Sequence, residues 1–200
     1  VNAADQPEEL ALQLKLPTIV ELPQSTSPGK QLTFAAKLRN VPAGTRRLFS
    51  SFNGGSPVPE ELYFDFDSDG DIGNQVAIRF QYDRYGVKVP SKQIKDWSND
   101  QQEHHLAAVW DDGLIAIYFD GELVGQGGVE GAGNLVSRIG DLRFGEDHPP
   151  TSLANEPFRG VVDDILVLKK ALTADQVRQL YKQSASEVLD MEVATGWLYT

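Results

Sequence analysis

From Gln31 to Asn40 polar and apolar residues alternate, and Leu32, Phe34, Ala36 and Leu38 share one side of a two-residue period. A strand with one face in a core has this pattern. The turn-forming run "VPAG" follows, then "RRLFSSFN", so these two segments are expected to form an antiparallel pair. Further on, "ELYFDF" and "NQVAIRFQY" flank an acidic turn, and "YGVKV" adds a short strand. The run "HHLAAVWDDGLIAIYFDGELVG" reads as a meander whose tight turns are Asp112-Gly113 and Asp120-Gly121. "GDLRFG" and the opening stretch supply two more strands, and the glycines of "GQGGVEGAGN" read as a loop.

The period changes once, inside "PFRGVVDDILVLKKALTADQVRQLY". Its first half is strand-like, with Val161, Val162, Ile165, Val167 and Leu168 around Asp163 and Asp164. Its second half has Thr173 followed three residues on by Gln176, the spacing of a capping box. Val177, Leu180 and Tyr181 then fall on one side of a short helix. Many short strands, turn residues between them and one late helix predict an all-β fold, two antiparallel sheets packed face to face as a jelly-roll sandwich. Residues 1–200 are expected to form one domain, with 1–9 and 184–200 as flexible or flanking segments. The tail "VATGWLYT" is compatible with an edge strand or with a lead into a following module.

Composition then excludes several function classes. The net charge of −11 opposes binding to phosphate backbones, so no nucleic acid partner is expected. With no cysteine there is neither a disulfide framework nor a thiolate metal site. No apolar run approaches the roughly 20 residues of a membrane span, and "VNAADQPEEL" does not read as a signal peptide. A chain that opens on Val1 reads as a piece of a longer polypeptide.

Four short motifs carry a family resemblance. They are His104-His105-Leu106-Ala107, Tyr118-Phe119-Asp120-Gly121, Phe158-Arg159-Gly160-Val161-Val162-Asp163-Asp164 and Ala171-Leu172-Thr173. In this order they resemble the laminin G-like branch of the concanavalin A-like lectin and glucanase superfamily. That branch has an approximate Trp-His-His-Val-Ala, a Tyr-Val-Asp-Gly turn, a Phe-x-Gly-x-Ile-Asp-Glu strand, and Ala-Leu-(Ser/Thr) before a helix. The motif's tryptophan is Glu103 here and its glutamate is Asp164. The resemblance implies a concanavalin A-like jelly roll; activity follows from it only by analogy.

Candidate chemistry is sparse. Glucanases of this fold resemble one another in a strand carrying Glu-x-Asp-x-Glu, or one residue longer, which aligns alternate carboxylates on one face. That motif is absent, and "ELYFDFD" offers Asp65 and Asp67 without a glutamate at the required step. A Gly-x-Ser-x-Gly elbow and a phosphate-binding loop are absent too. No catalytic residues are assigned. His104 and His105, adjacent on a strand, point to opposite faces and cannot chelate one ion; one is expected packed and one exposed.

The loop "DFDSDGDIGN" has the opening of a calcium loop but Val76 at its twelfth position, so it reads first as a solvated turn. The resemblance adds a second expectation, a structural calcium held by Asp67, Asp69, Asp71 and Asn74. Sugar binding needs aromatic planes at a surface or rim. Trp97, in the polar segment "IKDWSND", Tyr82 and Tyr85 in "QYDRYG", and His148 in a proline-rich loop are the candidates, while Trp110 is expected to pack in the core. The expected function is non-catalytic glycan binding within a larger secreted, periplasmic or cell-surface polypeptide. The competing class is a structural or protein-interaction module packing against other domains of the same polypeptide.

Overall fold

The computed structural model describes residues 12–14, 30–41, 47–51, 62–67, 77–82, 85–90, 101–128, 130–131, 142–144, 160–168 and 170–182. Among them are eleven strands and one helix. The strands are β1 (Leu12–Leu14), β2 (Gln31–Arg39), β3 (Arg47–Ser51), β4 (Leu62–Asp67), β5 (Ala77–Tyr82), β6 (Tyr85–Pro90), β7 (Glu103–Asp111), β8 (Leu114–Phe119), β9 (Glu122–Gly128), β10 (Leu142–Phe144) and β11 (Gly160–Leu168). The helix is α1 (Ala174–Lys182). All the strand pairs are antiparallel. They form a six-stranded sheet ordered β1-β11-β2-β7-β8-β9 and a five-stranded sheet ordered β10-β3-β4-β5-β6.

The alternation read from sequence is real, but one expected partnership is not. β2 pairs with β11 and β7, whereas β3 pairs with β10 and β4, so the two strands belong to different sheets and do not pair with each other. The glycine-rich segment also departs from expectation, because β9 runs on to Gly128.

The centre of the six-stranded sheet, β2 and β7, is buried on both faces. On the inner face, Leu32, Phe34, Ala36 and Leu38 of β2 stand beside Leu106, Ala108 and Trp110 of β7 and Ile115 and Ile117 of β8, all shielded from solvent. The five-stranded sheet covers this face, and its Leu48 is fully buried. Trp110 is therefore a core residue, as its alternation suggested. On the outer face, Ala35, Ala107, Val109, Tyr118, Leu166 and Leu168 pack under Leu172 and the helix residues Val177 and Leu180. Burying each of these two helix side chains contributes roughly 1.5–3 kcal/mol. Two covered faces explain why β2 and β7 are almost continuously buried.

β11 reaches both layers through a bulge. Asp163 pairs with Lys37, yet Leu166 already pairs with Ala35, so β11 carries one residue more than its partner. Asp164 adopts φ 47° there, its N–H donates to Asp163 Oδ1 at 2.8 Å, and Lys37 Nζ lies 2.8 Å from its Oδ2. The extra residue shifts the strand's phase. Val162 and Val167 pair with the inward residues Leu38 and Phe34, while Leu166 and Leu168 turn outward to the helix.

Candidate functional site

The described residues of the four signature motifs lie in or beside the six-stranded sheet, around the β8–β9 turn and the start of α1. Asp112-Gly113 and Asp120-Gly121 each have positive φ at both positions, 44° and 101°, then 50° and 77°, the two-residue turns that match the twist of flanking strands. At the second turn Asp120 binds the paired histidines. Its Oδ1 accepts the His105 backbone N–H at 2.9 Å, its Oδ2 accepts from His104 Nδ1 at 2.8 Å, and its own N–H donates to the His105 carbonyl at 2.8 Å. A carboxylate that only accepts sets the proton of His104 on Nδ1. His104 also stacks on Phe119, with ring centroids 4.8 Å apart.

His105 faces the other way, under the helix, with Tyr181 at 6.1 Å between ring centroids. The two side chains do point to opposite faces, but the expectation that one is exposed fails: both are buried, His104 by the inner layer and His105 by α1. Neither ring nitrogen of His105 has a hydrogen-bond partner among the described residues. Burial pulls its pKa from the ordinary 6.5 down to about 4; Asp120 and Asp164 oppose this and Lys37 adds to it.

The remaining motif residues attach the helix. Thr33 Oγ1 donates to the Lys170 carbonyl at 2.7 Å and accepts the Leu172 N–H at 3.1 Å, joining β2 to the chain entering α1. Thr173 and Gln176 form the expected capping box, with bonds of 2.9 and 3.3 Å. Gly121 lets the helix approach: a Cβ there would stand 3.1 Å from Tyr181 Cδ1. Turn, histidines, bulge and cap thus form one docking device for α1, and their chemistry is structural.

The five-stranded sheet has a different character, visible in its register. One row of Cα partners crosses all five strands as Phe144, Phe49, Phe64, Phe80 and Val87. A row on the same face runs Phe66, Ile78 and Val89, and another runs Leu142, Ser51, Leu62, Tyr82 and Tyr85. The alternate rows are polar. Arg143, Ser50, Tyr63, Gln81 and Gly86 form one, Arg47, Asp65, Arg79 and Lys88 the next, and Asp67, Ala77 and Pro90 the last. Apolar rows alternating with polar rows are the pattern of a sheet that has one face in a sandwich core. α1 packs on the outer face of the six-stranded sheet.

The sequence-derived candidates distribute unevenly over this frame. Tyr82 and Tyr85 are direct partners in the end row of the apolar face, beside the β5–β6 connection. Asp67 ends β4 on the polar face, opposite Ala77. Trp97, His148, Asp69, Asp71 and Asn74 lie outside the described residues, as does Trp197. Among the described residues no group of three or more His, Asp or Glu could hold a metal ion. The polar rows had no motif to mark them; only strand register reveals that residues far apart in sequence stand side by side.

Comparison with known proteins agrees with this architecture. A family model described as the concanavalin A-like lectin/glucanases superfamily, of laminin G type, matches residues 18–178. The chain belongs to this superfamily. No curated protein sequence matches it. Among solved structures, this laminin G-like chain is similar to the CBM40 domain of an IT-sialidase from Ruminococcus gnavus, solved with α2,6-sialyllactose. The TM-score is 0.62 and the identity 14%, over 86% of this chain and 96% of that one. It is similar to domain 4 of an extracellular GH43 arabinanase from Geobacillus stearothermophilus, in complex with arabinotriose, at TM-score 0.55 and 16% identity over 86% and 80% of the two chains. It is also similar to a heptameric SAP-like pentraxin from Limulus polyphemus, at TM-score 0.59 and 18% identity over 88% and 78%. At these identities the likeness shows the jelly-roll fold.

Proposed function

We propose that this chain is a non-catalytic carbohydrate-binding module of a larger secreted or surface polypeptide, and that it meets its glycan on the polar face of the five-stranded sheet. The observation that carries this reading is the division of labour between the two outer faces. One is closed by α1 and its apolar cluster. On the five-stranded sheet, register sets Ser50, Tyr63, Gln81 and Gly86 side by side in one row, residue types suited to sugar hydroxyls and ring faces. Superfamily membership and the glycan-bound neighbours support it.

Trp97, which lies between β6 and β7 in the chain, supplies a stacking plane for the sugar in this reading. The calcium expected at Asp67, Asp69, Asp71 and Asn74 is a structural ion whose removal lowers stability. A polysaccharide pull-down and glycan array, run with and without chelator, tests the proposal. Binding to at least one glycan class is expected, and Trp97→Ala should abolish it at unchanged melting temperature. Silence across plant, algal and bacterial glycans overturns the reading in favour of a packing module. For that alternative, exposed Leu123 and Tyr181, at 47% and 41%, are the apolar side chains to test.

A further inference from the structure

The three large apolar side chains that stand exposed among the described residues share one margin of the molecule. They are Leu114, Leu123 and Tyr181, at 44%, 47% and 41%. On β8, Ala116 and Tyr118 face the helix-side cluster, so Leu114, two residues before Ala116, faces the same way. Register brings β9 onto that face too: Leu123 pairs with Tyr118, Gln126 with Ala116 and Gly128 with Leu114. α1 closes the face over β2, β7 and β11 but stops at the β8–β9 turn, where Gly121 meets Arg178 and Tyr181. Past it, Leu123, Gln126, Gly128 and Leu114 are all exposed. The result is a strip with Tyr181 and Leu123 at one end, Leu114 at the other and Ala116 between. From the level of Tyr118 to that of Leu114 it covers four steps along β8, about 13 Å.

We infer that the segment following α1 folds back onto this strip and seats Leu189, Met191 and Val193 along it. Three side chains are too few for a free protein partner, since a stable interface uses about 20–30 residues a side. A tethered occupant is not held to that size, because linkage gives it an effective concentration on the order of millimolar. The chain leaving Lys182 starts beside the strip, for Tyr181 adjoins Gly121, two residues before Leu123. Residues 183–188, "QSASEV", supply a linker, mostly small or polar, that reaches up to about 20 Å when extended. Residues 189–193, "LDMEV", then alternate apolar and acidic with a two-residue period. Extended, they place Leu189 and Val193 about 13 Å apart, the length of the strip, and turn Asp190 and Glu192 to water. Gln126, exposed at mid-strip, offers a donor and an acceptor to backbone lying over it. Glycan binding on the other sheet is neither required nor opposed by this closure.

Because the chain has no cysteine, introduced pairs report on this closure without interference. Two full-length chains are compared under mild oxidation, one carrying Leu123→Cys with Met191→Cys and a control carrying Gln179→Cys with Met191→Cys. The first should form an intramolecular disulfide roughly tenfold faster or more, read by non-reducing electrophoresis and peptide mass. Gln179 is exposed on α1 and far closer to Met191 in sequence, so tethering alone would favour the control. Leu123→Asp and Met191→Asp should each lower the melting temperature by about 3 °C or more, and the double variant should fall no further, since both remove one contact. A disulfide no faster than in the control, or melting shifts that are absent or simply add, overturns the assignment. Disulfide-linked dimers in place of the intramolecular product would give the strip to a second copy of the chain and overturn it as well.

Discussion

Asp120 holds more of the molecule than any single side chain of its size should. It accepts from the His105 backbone and from the His104 ring, and it occupies a left-handed position that Ala tolerates poorly. Asp120→Ala should therefore cost about 2–4 kcal/mol, seen as a lowered denaturation midpoint with an unchanged slope. His105 adds a pH dependence whose sign is fixed by its depressed pKa. The unfolded histidine titrates near 6.5 and the folded one near 4, so between these values the unfolded state binds the extra proton. Stability is then full above pH 6.5 and falls as the pH is lowered toward 4, by an amount on the order of 3 kcal/mol. His105→Leu should flatten that slope in urea titrations across this window and cost little at neutral pH, because it removes two unpaired buried nitrogens. The Asp-Gly turns were legible in the sequence, since only a few residues accept positive φ. The burial of both histidines was not, because that of His105 depends on a helix that arrives about 70 residues later in the chain and that of His104 on the opposite face of the sheet.

Elements were legible where the pattern is local and illegible where it is not. The capping box at Thr173 and Gln176 read directly, as did the alternation of β2 and β7. The partner of β2 did not, because pairing is long-range and the turn residues after it serve a crossover between sheets equally well. β9 was hidden for another reason. Glycine usually marks loops, but here it permits contact: a Cβ on Gly128, at φ 96°, would collide with the Gly113 carbonyl across the hairpin. Gly128→Ala should accordingly lower the melting temperature and disturb amide exchange at the β8–β9 end of the sheet more than elsewhere. The joint between β2 and α1 offers a milder probe. Thr33→Val keeps the shape but leaves the Lys170 carbonyl and the Leu172 N–H without their partner, and about 1–3 kcal/mol should be lost.

At the scale of the whole molecule, the sandwich class followed from strand count, turn spacing and a single helix, and the structure bears it out as sheets of six and five strands. The candidate ligand residues followed less well, since Trp97 and His148 were chosen from local polarity and lie outside the described residues. The polar rows were invisible in the linear chain because Ser50, Tyr63, Gln81 and Gly86 come from four strands and align only through pairing. No helix among the described residues is long and apolar enough to cross a membrane.

The signature motifs and the polar rows lie in different sheets of the sandwich, and this separation frees each from the other. Residues that brace α1 answer to packing, whereas the polar rows of the far sheet take no part in that bracing. Such a scaffold can be re-addressed by redesigning one layer alone: grafting a different set of outward residues onto β3 to β6 should change what it captures without requiring a new core.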